Sequence, residues 1–364
     1  MKKFYKILII LGISFNYFGI SKAQNIPSSF ADLAERLMPS VVNISTTTTV
    51  TTKSNPLPFE FPPGSPFEDM FGTPQQRQTS ALGSGFIISE EGIVITNNHV
   101  IQGAQDIVVR VNGDQDYKAK VLGADAGMDL AVLKIESDQK FIPVKFGDSD
   151  KSRIGDWVIA IGNPFGLGGT VTAGIISARN RSIGLSRYED YIQTDASINQ
   201  GNSGGPLFNM NGDVIGINTA ILGQSGSIGI GFAIPSNSAQ KVIDQLIKFG
   251  ETKRGWLGVR IQIVDQSIAD AENLDKPRGA LVASVAENSP SDKGGVKPGD
   301  IILEFDGKPI NEMNELPKIV ASTDVGKKVK VKIWRNQREL TKNIILGRLE
   351  TSSDFKPKKQ VLQK

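Results

Sequence analysis

Between residues 82 and 235 the apolar positions come in short, β-branched bursts separated by glycine, asparagine and aspartate. They predict strands at Gly85–Ser89, Gly92–Thr96, Asp106–Val111, Asp129–Ile135, Asp156–Ile161, Thr170–Ser177, Asp213–Thr219 and Ile228–Ile234. Many short strands with frequent turns indicate a sandwich or a barrel. Before them, Val41–Thr52 is rich in β-branched residues and predicts a longer strand. Helical spacing surfaces twice. Phe30, Leu33, Ala34 and Leu37 follow a capping-box-like Ser29-Phe-Ala-Asp32 and are stopped by Pro39. Ala239, Val242, Ile243, Leu246 and Ile247 share one face of a helix over Ser236–Phe249, with Gly250 as its C-cap.

Residues 53–80 break the pattern with six prolines and with Phe59, Phe61, Phe67 and Phe71. This predicts a long loop, either an insertion without fixed structure or an arm that docks its phenylalanines on a partner subunit. A second unit runs from Arg254 to Leu349. Its strands are expected at Leu257–Ile263, Ala280–Val285, Ile301–Phe305, Lys328–Trp334 and Glu339–Leu346, with helical turns near Ser289–Gly294 and Asn314–Ser322. Pro317 is tolerable in the second turn only if that helix begins near Asn314. Residues 350–364 form a polar, lysine-bearing tail expected to be flexible.

Composition changes the picture mainly at the N-terminus. The formal charge of +3 arises there, since residues 1–23 hold Lys2, Lys3, Lys6 and Lys22 and no acid. The rest of the chain is nearly balanced, which gives no electrostatic footprint for nucleic acid. The basic start, the apolar stretch Ile7–Ile20 and the small residues of Ser21-Lys22-Ala23 read as a secretory signal cleaved after Ala23. An uncleaved anchor is the competing reading, disfavoured because Lys6 and Asn16 leave the stretch short of the roughly 18–20 residues that span a bilayer. With no cysteine, disulfides are excluded.

Candidate chemistry is narrow. His99 is the only histidine, and imidazole is the side chain whose ordinary protonation equilibrium lies near neutrality. Ser203 sits in Gly201-Asn-Ser-Gly-Gly-Pro206, and a serine becomes a nucleophile when a neighbouring base takes its proton. Glycine at 201 allows the N–H groups of Gly201 and Ser203 to converge on a developing oxyanion. Asp129 opens a largely apolar strand and can orient the imidazole, with Asp125 as its nearest competitor. Asp195 lies too near the serine loop and is expected to hold backbone instead.

Together these segments resemble the trypsin-like serine proteases of the HtrA/Deg group. The matching stretches are Thr96–Val100, Asp129–Ile135 and Thr194–Leu207, supported by Gly83–Phe86, Ala160–Pro164, Gly216–Ala220 and Gly229–Pro235. The resemblance implies a mainly β, chymotrypsin-like fold with two six-stranded barrels over residues 24–250. It also implies roles: His99 as general base, Asp129 as orienting acid and Ser203 as nucleophile, with the backbone of Gly201 and Ser203 as oxyanion hole. By the same match Ile198 and Ile221 would line the specificity pocket and favour small or medium aliphatic residues. Residues 254–349 resemble a bacterial PDZ domain, whose carboxylate-binding loop would be Trp256, Leu257, Gly258 and Val259, with Leu257, Val259 and Ile261 as pocket residues. The family implies neither cofactor nor metal, a homotrimer or larger oligomer contacted through the 53–80 loop, and a periplasmic location. The expected partners are misfolded envelope proteins as substrates and C-terminal peptides at the PDZ domain. A site-specific signalling protease and a chaperone or peptide-binding scaffold are the rival functions.

Overall fold

The computed structural model describes residues 27–52, 75–111, 115–163, 169–184, 188–199, 201–221 and 229–352. The expected signal segment 1–23, the four loop phenylalanines and most of the C-terminal tail lie outside the described residues. The first helix, α1 (Ala31–Leu37), passes into a 3-10 turn, Met38–Ser40, that contains Pro39. The capping box does not form, because the helix starts one residue later than that spacing requires. Phe30 is the residue before it, packed on Trp157 at 5.7 Å between rings, and Ser29 Oγ accepts from the Ala31 N–H.

Six strands then close a barrel: β1 (Val41–Thr52), β2 (Gln75–Ile87), β3 (Ile93–Thr96), β4 (Asp106–Val111), β5 (Gln115–Asp125) and β6 (Leu130–Ile135), in the order β1-β2-β3-β6-β5-β4. A single helical turn, α2 (Asn98–Ile101), follows β3. The predicted 53–80 loop is shorter than expected. Residues 75–80 continue a hairpin in which Gln75 faces Thr52, a pairing made by backbone and therefore indifferent to the polar side-chain sequence.

A second closed barrel contains β7 (Trp157–Gly162), β8 (Thr170–Arg181), β9 (Tyr191–Thr194), β10 (Pro206–Phe208), β11 (Val214–Ile221) and β12 (Gly231–Pro235), in the order β10-β11-β12-β9-β8-β7. The chymotrypsin-like double barrel expected from the sequence is the observed fold. Helix α3 (Ser236–Phe249) leaves β12 directly and ends at Gly250, whose φ of 73° and N–H bond to Leu246 O complete the cap.

Each barrel has its own apolar interior, around Ile44, Val94 and Leu133 in the first and Val158, Ile192 and Leu207 in the second. A further cluster fills the seam between them, joining Phe86, Ile95 and Leu130 to Ile159, Phe208 and Phe232 and to Val242, Ile243 and Leu246 of α3. That seam core fixes the two barrels against each other, and the loops that meet over it carry the candidate site.

The C-terminal unit is the expected PDZ domain. A short pair, β13 (Gly255–Trp256) with β20 (Gly347–Arg348), closes its entrance and exit. Its main sheet runs β14 (Val259–Ile263), β15 (Ala280–Val285), β16 (Ile301–Phe305), β18 (Lys328–Arg335), β19 (Arg338–Ile345), with β17 (Lys308–Pro309) on β16. Helices α4 (Gln266–Ala271), α5 (Pro290–Lys293) and α6 (Glu315–Ala321) cover it. Helix α6 follows Asn314, so Pro317 falls in its first turn, where it removes no helical hydrogen bond. Strand β14 lies at the sheet edge, with its outer rim unpaired by any named strand among the described residues.

Candidate active site

The site grows from the connections after β3 and β5. Asp129, just before β6, adopts φ 55°. Its carbonyl accepts from the Asn98 N–H at 3.1 Å and from Asn97 Nδ2 at 2.8 Å, which ties it to the turn carrying His99. Its carboxylate accepts the His99 N–H at 2.9 Å through Oδ1 and faces His99 Nδ1 at 2.6 Å through Oδ2. Thr219 Oγ1, on β11 of the other barrel, donates to the same Oδ2 at 2.8 Å. A carboxylate accepts only, so a neutral ring keeps its proton on Nδ1 and leaves Nε2 free as a base. Sequence reasoning missed Thr219, whose only signal was its place in the Gly216–Ala220 segment.

Across the seam, Gly201 has φ 101° and Gly204 φ 83°, both open to glycine at little cost. A Cβ at Gly204 would stand 2.3 Å from Ser84 O and from Thr96 Oγ1, so the serine loop lies hard against the strand that leads to His99. Around Ser203 the N–H groups of Asn202, Gly204 and Gly205 bond to the carbonyls of Asn199, Asn218 and Asn202. Among the described residues the N–H groups of Gly201 and Ser203 have no partner, the alternation an oxyanion hole requires. Nor does a hydrogen bond join the Ser203 hydroxyl to His99 among the described residues. His99 is oriented by Asp129 while the Ser203 hydroxyl makes no hydrogen bond to it, and contacts of this kind commonly tighten on substrate binding.

The rival acids are placed elsewhere. Asp125 is buried and pairs with Arg254, not His99. Asp195 Oδ1 accepts the Ile175 N–H at 2.7 Å and so holds backbone, as expected. Ile198 is 1% exposed and belongs to the second barrel's core. It also abuts Gly231, where a Cβ would lie 2.6 Å from Ile198 Cγ1, and Gly231 pairs with Ile221 across β11 and β12. The Ile221 side chain lies outside the described residues.

In the C-terminal unit, Leu257 is buried in the core, Trp256 ends β13 and Val259 opens β14. Gly258 has φ 79°, and a Cβ there would collide with Ser289. The carbonyls of Leu257 and Gly258 are consumed by the N–H groups of Ser291 and Ala286, both at 2.9 Å. The loop thus turns its carbonyls inward beside the open edge of β14.

Comparison with known proteins accords with this geometry. The pattern of the trypsin-like peptidase domain matches residues 83–217, and that of the PDZ domain residues 255–346. The chain is 49% identical over 342 residues to the probable periplasmic serine endoprotease DegP-like of Marinomonas sp. (strain MWYL1), covering 90% of this chain and 72% of that one. A relative of the same description from Hahella chejuensis is 46% identical over 330 residues, covering 88% and 70%. Among solved structures, the HtrA-type protease AlgW with decapeptide superposes with a TM-score of 0.73 at 41% identity, covering 88% of this chain and 98% of that one. The serine endoprotease from Yersinia pestis gives 0.63 at 34% identity, covering 89% and 100%.

Proposed function

Because this chain belongs to the DegP-like, HtrA-type family of trypsin-like serine endoproteases, we propose that it cleaves unfolded envelope proteins with His99, Asp129 and Ser203 as its triad. The observation that carries the triad is the Asp129 carboxylate, hydrogen-bonded at once to both nitrogens of His99 that face it and to Thr219. Held in this way, a neutral His99 keeps Nε2 unprotonated and able to act as the base. It takes the Ser203 proton as the hydroxyl attacks the scissile carbonyl, and the resulting imidazolium is stabilised by Asp129. The oxyanion is received by the N–H groups of Gly201 and Ser203. The proton then passes to the leaving amine, and water, activated by the same ring, releases the acyl-enzyme.

By the family resemblance Ile198 and Ile221 belong to the specificity pocket, favouring small or medium aliphatic residues at the cleaved side. Trp256, Leu257, Gly258 and Val259 receive the carboxylate of a peptide C-terminus, and the peptide adds a strand to β14. The decapeptide in the AlgW structure supports peptide recognition by this family. The periplasmic description of the relatives supports export, with residues 1–23 as the signal. The working form, on the family resemblance alone, is a homotrimer or larger oligomer. A peptide-gated signalling protease is favoured by one observation, the Ser203 hydroxyl standing free of His99 among the described residues.

Casein hydrolysis by the wild type and by Ser203→Ala, with and without a hydrophobic C-terminal peptide, tests the reading. The variant should lose several orders of magnitude in rate. Peptide stimulation of the wild type would favour gating. Equal measurable turnover by the two proteins refutes Ser203 as nucleophile, and no turnover by either, with or without peptide, leaves the scaffold reading.

A further inference from the structure

The geometry points to Ser84 as a positioning residue for the oxyanion hole, an assignment that rests on Ser203 being the nucleophile. Ser84 lies in β2 of the first barrel and is fully buried. Every hydrogen-bonding group it has is used, and each use concerns the catalytic seam. Its N–H donates to Ser203 O at 2.9 Å, and its carbonyl accepts from Thr96 Oγ1 at 2.7 Å. Its hydroxyl donates to Gly201 O and accepts the Asn163 N–H at 2.8 Å. A hydroxyl has one proton to give and lone pairs to receive with, so this double role suits serine and is lost entirely in alanine.

The consequence is seen one peptide plane at a time. The Gly201–Asn202 plane is held by Ser84 at its carbonyl and by Asn199 at its N–H. The Asn202–Ser203 plane, whose N–H is an oxyanion donor, is held at its carbonyl by the Gly205 N–H. The Ser203–Gly204 plane is held by Ser84 at its carbonyl and by Asn218 at its N–H. Ser84 therefore grips the carbonyls on either side of Asn202. Gly201, at φ 101°, has no Cβ to restrict its own rotation, so the pinned carbonyl limits how far its N–H can swing.

The strut also crosses the seam. Ser84 comes from the first barrel, whereas Gly201 and Asn163 belong to the second. Asn163 O in turn accepts from buried Asn43 Nδ2 at 2.8 Å, extending the network to β1. Removing the hydroxyl orphans two buried backbone groups, Gly201 O and Asn163 N–H, which then gain by rotating toward other partners. The serine loop packs closely here, since a Cβ added at Gly205 would stand 3.3 Å from Ser84 Cβ. Ser84 itself has no hydrogen bond to His99 or Asp129 among the described residues, and its effect passes through the loop.

Ser84→Ala and Ser84→Cys, compared with the wild type, test the assignment. Three quantities are read on each protein: kcat and KM for a fluorogenic peptide, the affinity of a peptide aldehyde whose adduct carries an oxyanion, and the rate of Ser203 labelling by a fluorophosphonate. Ser84→Ala should lower kcat by about 10- to 100-fold, below the roughly 10²–10³-fold lost when an oxyanion donor is itself removed. KM should stay within about 2-fold, the signature of an interaction that counts only in the transition state. Aldehyde affinity should fall in parallel with kcat, and Ser84→Cys should lie between, because a thiol is a weak donor and acceptor. The chain has no native cysteine, so the new thiol also reports whether the seam is still packed, reacting with a thiol reagent only on unfolding. Wild-type kcat and aldehyde affinity in folded Ser84→Ala overturn the assignment. So does a loss that only follows the unfolded fraction, or failure of both variants to fold, which would make Ser84 a core residue. If the wild type itself is not labelled at Ser203, the nucleophile reading has failed, a result distinguishable from either of these.

Discussion

Asp129 holds the histidine at a conformational cost. Its φ of 55° is in the left-handed region, where side chains other than glycine's are disfavoured and aspartate and asparagine are best tolerated. Five hydrogen bonds retain it there, three to its carboxylate and two to its carbonyl. Asp129→Asn keeps the volume and the tolerance of that conformation, so the melting temperature should change little. An amide nitrogen facing the ring instead favours the tautomer protonated on Nε2, which is no base, and kcat should fall by about 10⁴-fold. Steady-state kinetics alongside circular dichroism melting checks both, and full activity in Asp129→Asn would remove the carboxylate from the mechanism. Nearby, burial pushes the Tyr191 hydroxyl up to about 12, with Glu189 and Asp129 adding to the shift. A tyrosine near 10 when unfolded then stabilises the fold fully below pH 10, and the contribution of about 2–3 kcal/mol is lost between pH 10 and 12. Alkaline titration of phenolate absorbance should show a late-titrating component that is absent in Tyr191→Phe. At this scale the scarce residue types were legible, His99 because it is unique and Ser203 because of its glycines. Thr219 and Ser84 were not, because threonine and serine abound and their hydrogen bonds across the barrels exist only once the chain has folded. Asp125 and Asp129 looked alike until the fold gave them different neighbours.

Secondary-structure elements were readable where a face is buried and an end is capped. Helix α3 shows the principle: its apolar stripe packs on the seam, and Gly250 terminates it in the left-handed conformation. A Cβ at Gly250 would lie 3.3 Å from Leu122 O and suffer the backbone penalty as well. Gly250→Ala should therefore cost about 1 kcal/mol, seen as a drop of a few degrees in melting temperature, with kcat unchanged because an added Cβ there meets only Leu122 O. No loss of stability would mean the helix end relaxes freely. The strands missed by pattern are either largely exposed or very short. Strand β5 reads Gln-Asp-Tyr-Lys-Ala-Lys-Val because most of its length is exposed, with Tyr117, Ala119 and Leu122 only partly buried against the cores. Strand β9 has four residues, and β10 has three and begins with proline, lengths at which alternation carries no signal. The polar residues 75–80 of β2 pair with β1 along the backbone, and their composition looked like loop.

The whole molecule is joined by charge more than by apolar packing. Among the described residues no hydrophobic cluster contains side chains of both the barrels and the PDZ unit. A cleft of about 520 Å³ separates α3 from α6, lined by Lys241, Gln245, Lys318 and Ser322. At its inner end Arg254, buried in the linker, pairs with Asp125 at the end of β5 and lies 3.6 Å from Glu350, just beyond β20. Thr252 Oγ1 accepts from the same guanidinium at 2.8 Å, and the ring of Tyr188, from the second barrel, lies 4.8 Å beneath it. One side chain thus gathers both barrels, the linker and the exit of the PDZ unit. Nothing in the sequence links positions 125, 254 and 350, since a pairing over such separations exists only once the fold has formed. Removing one partner of a buried ion pair typically costs about 3–5 kcal/mol, because the remaining charge is left without compensation. In Arg254→Ala, Asp125 and Glu350 can escape that cost if the two units separate and water reaches them. The cheaper response is undocking, since the barrels keep their own cores. Limited proteolysis should then cut the linker between Phe249 and Gly255 faster than in the wild type, and calorimetry should resolve two transitions. Asp125→Asn, which leaves an acceptor for the guanidinium, should do less. Unchanged cleavage and a single transition in Arg254→Ala would mean that the units are held together by something other than this node.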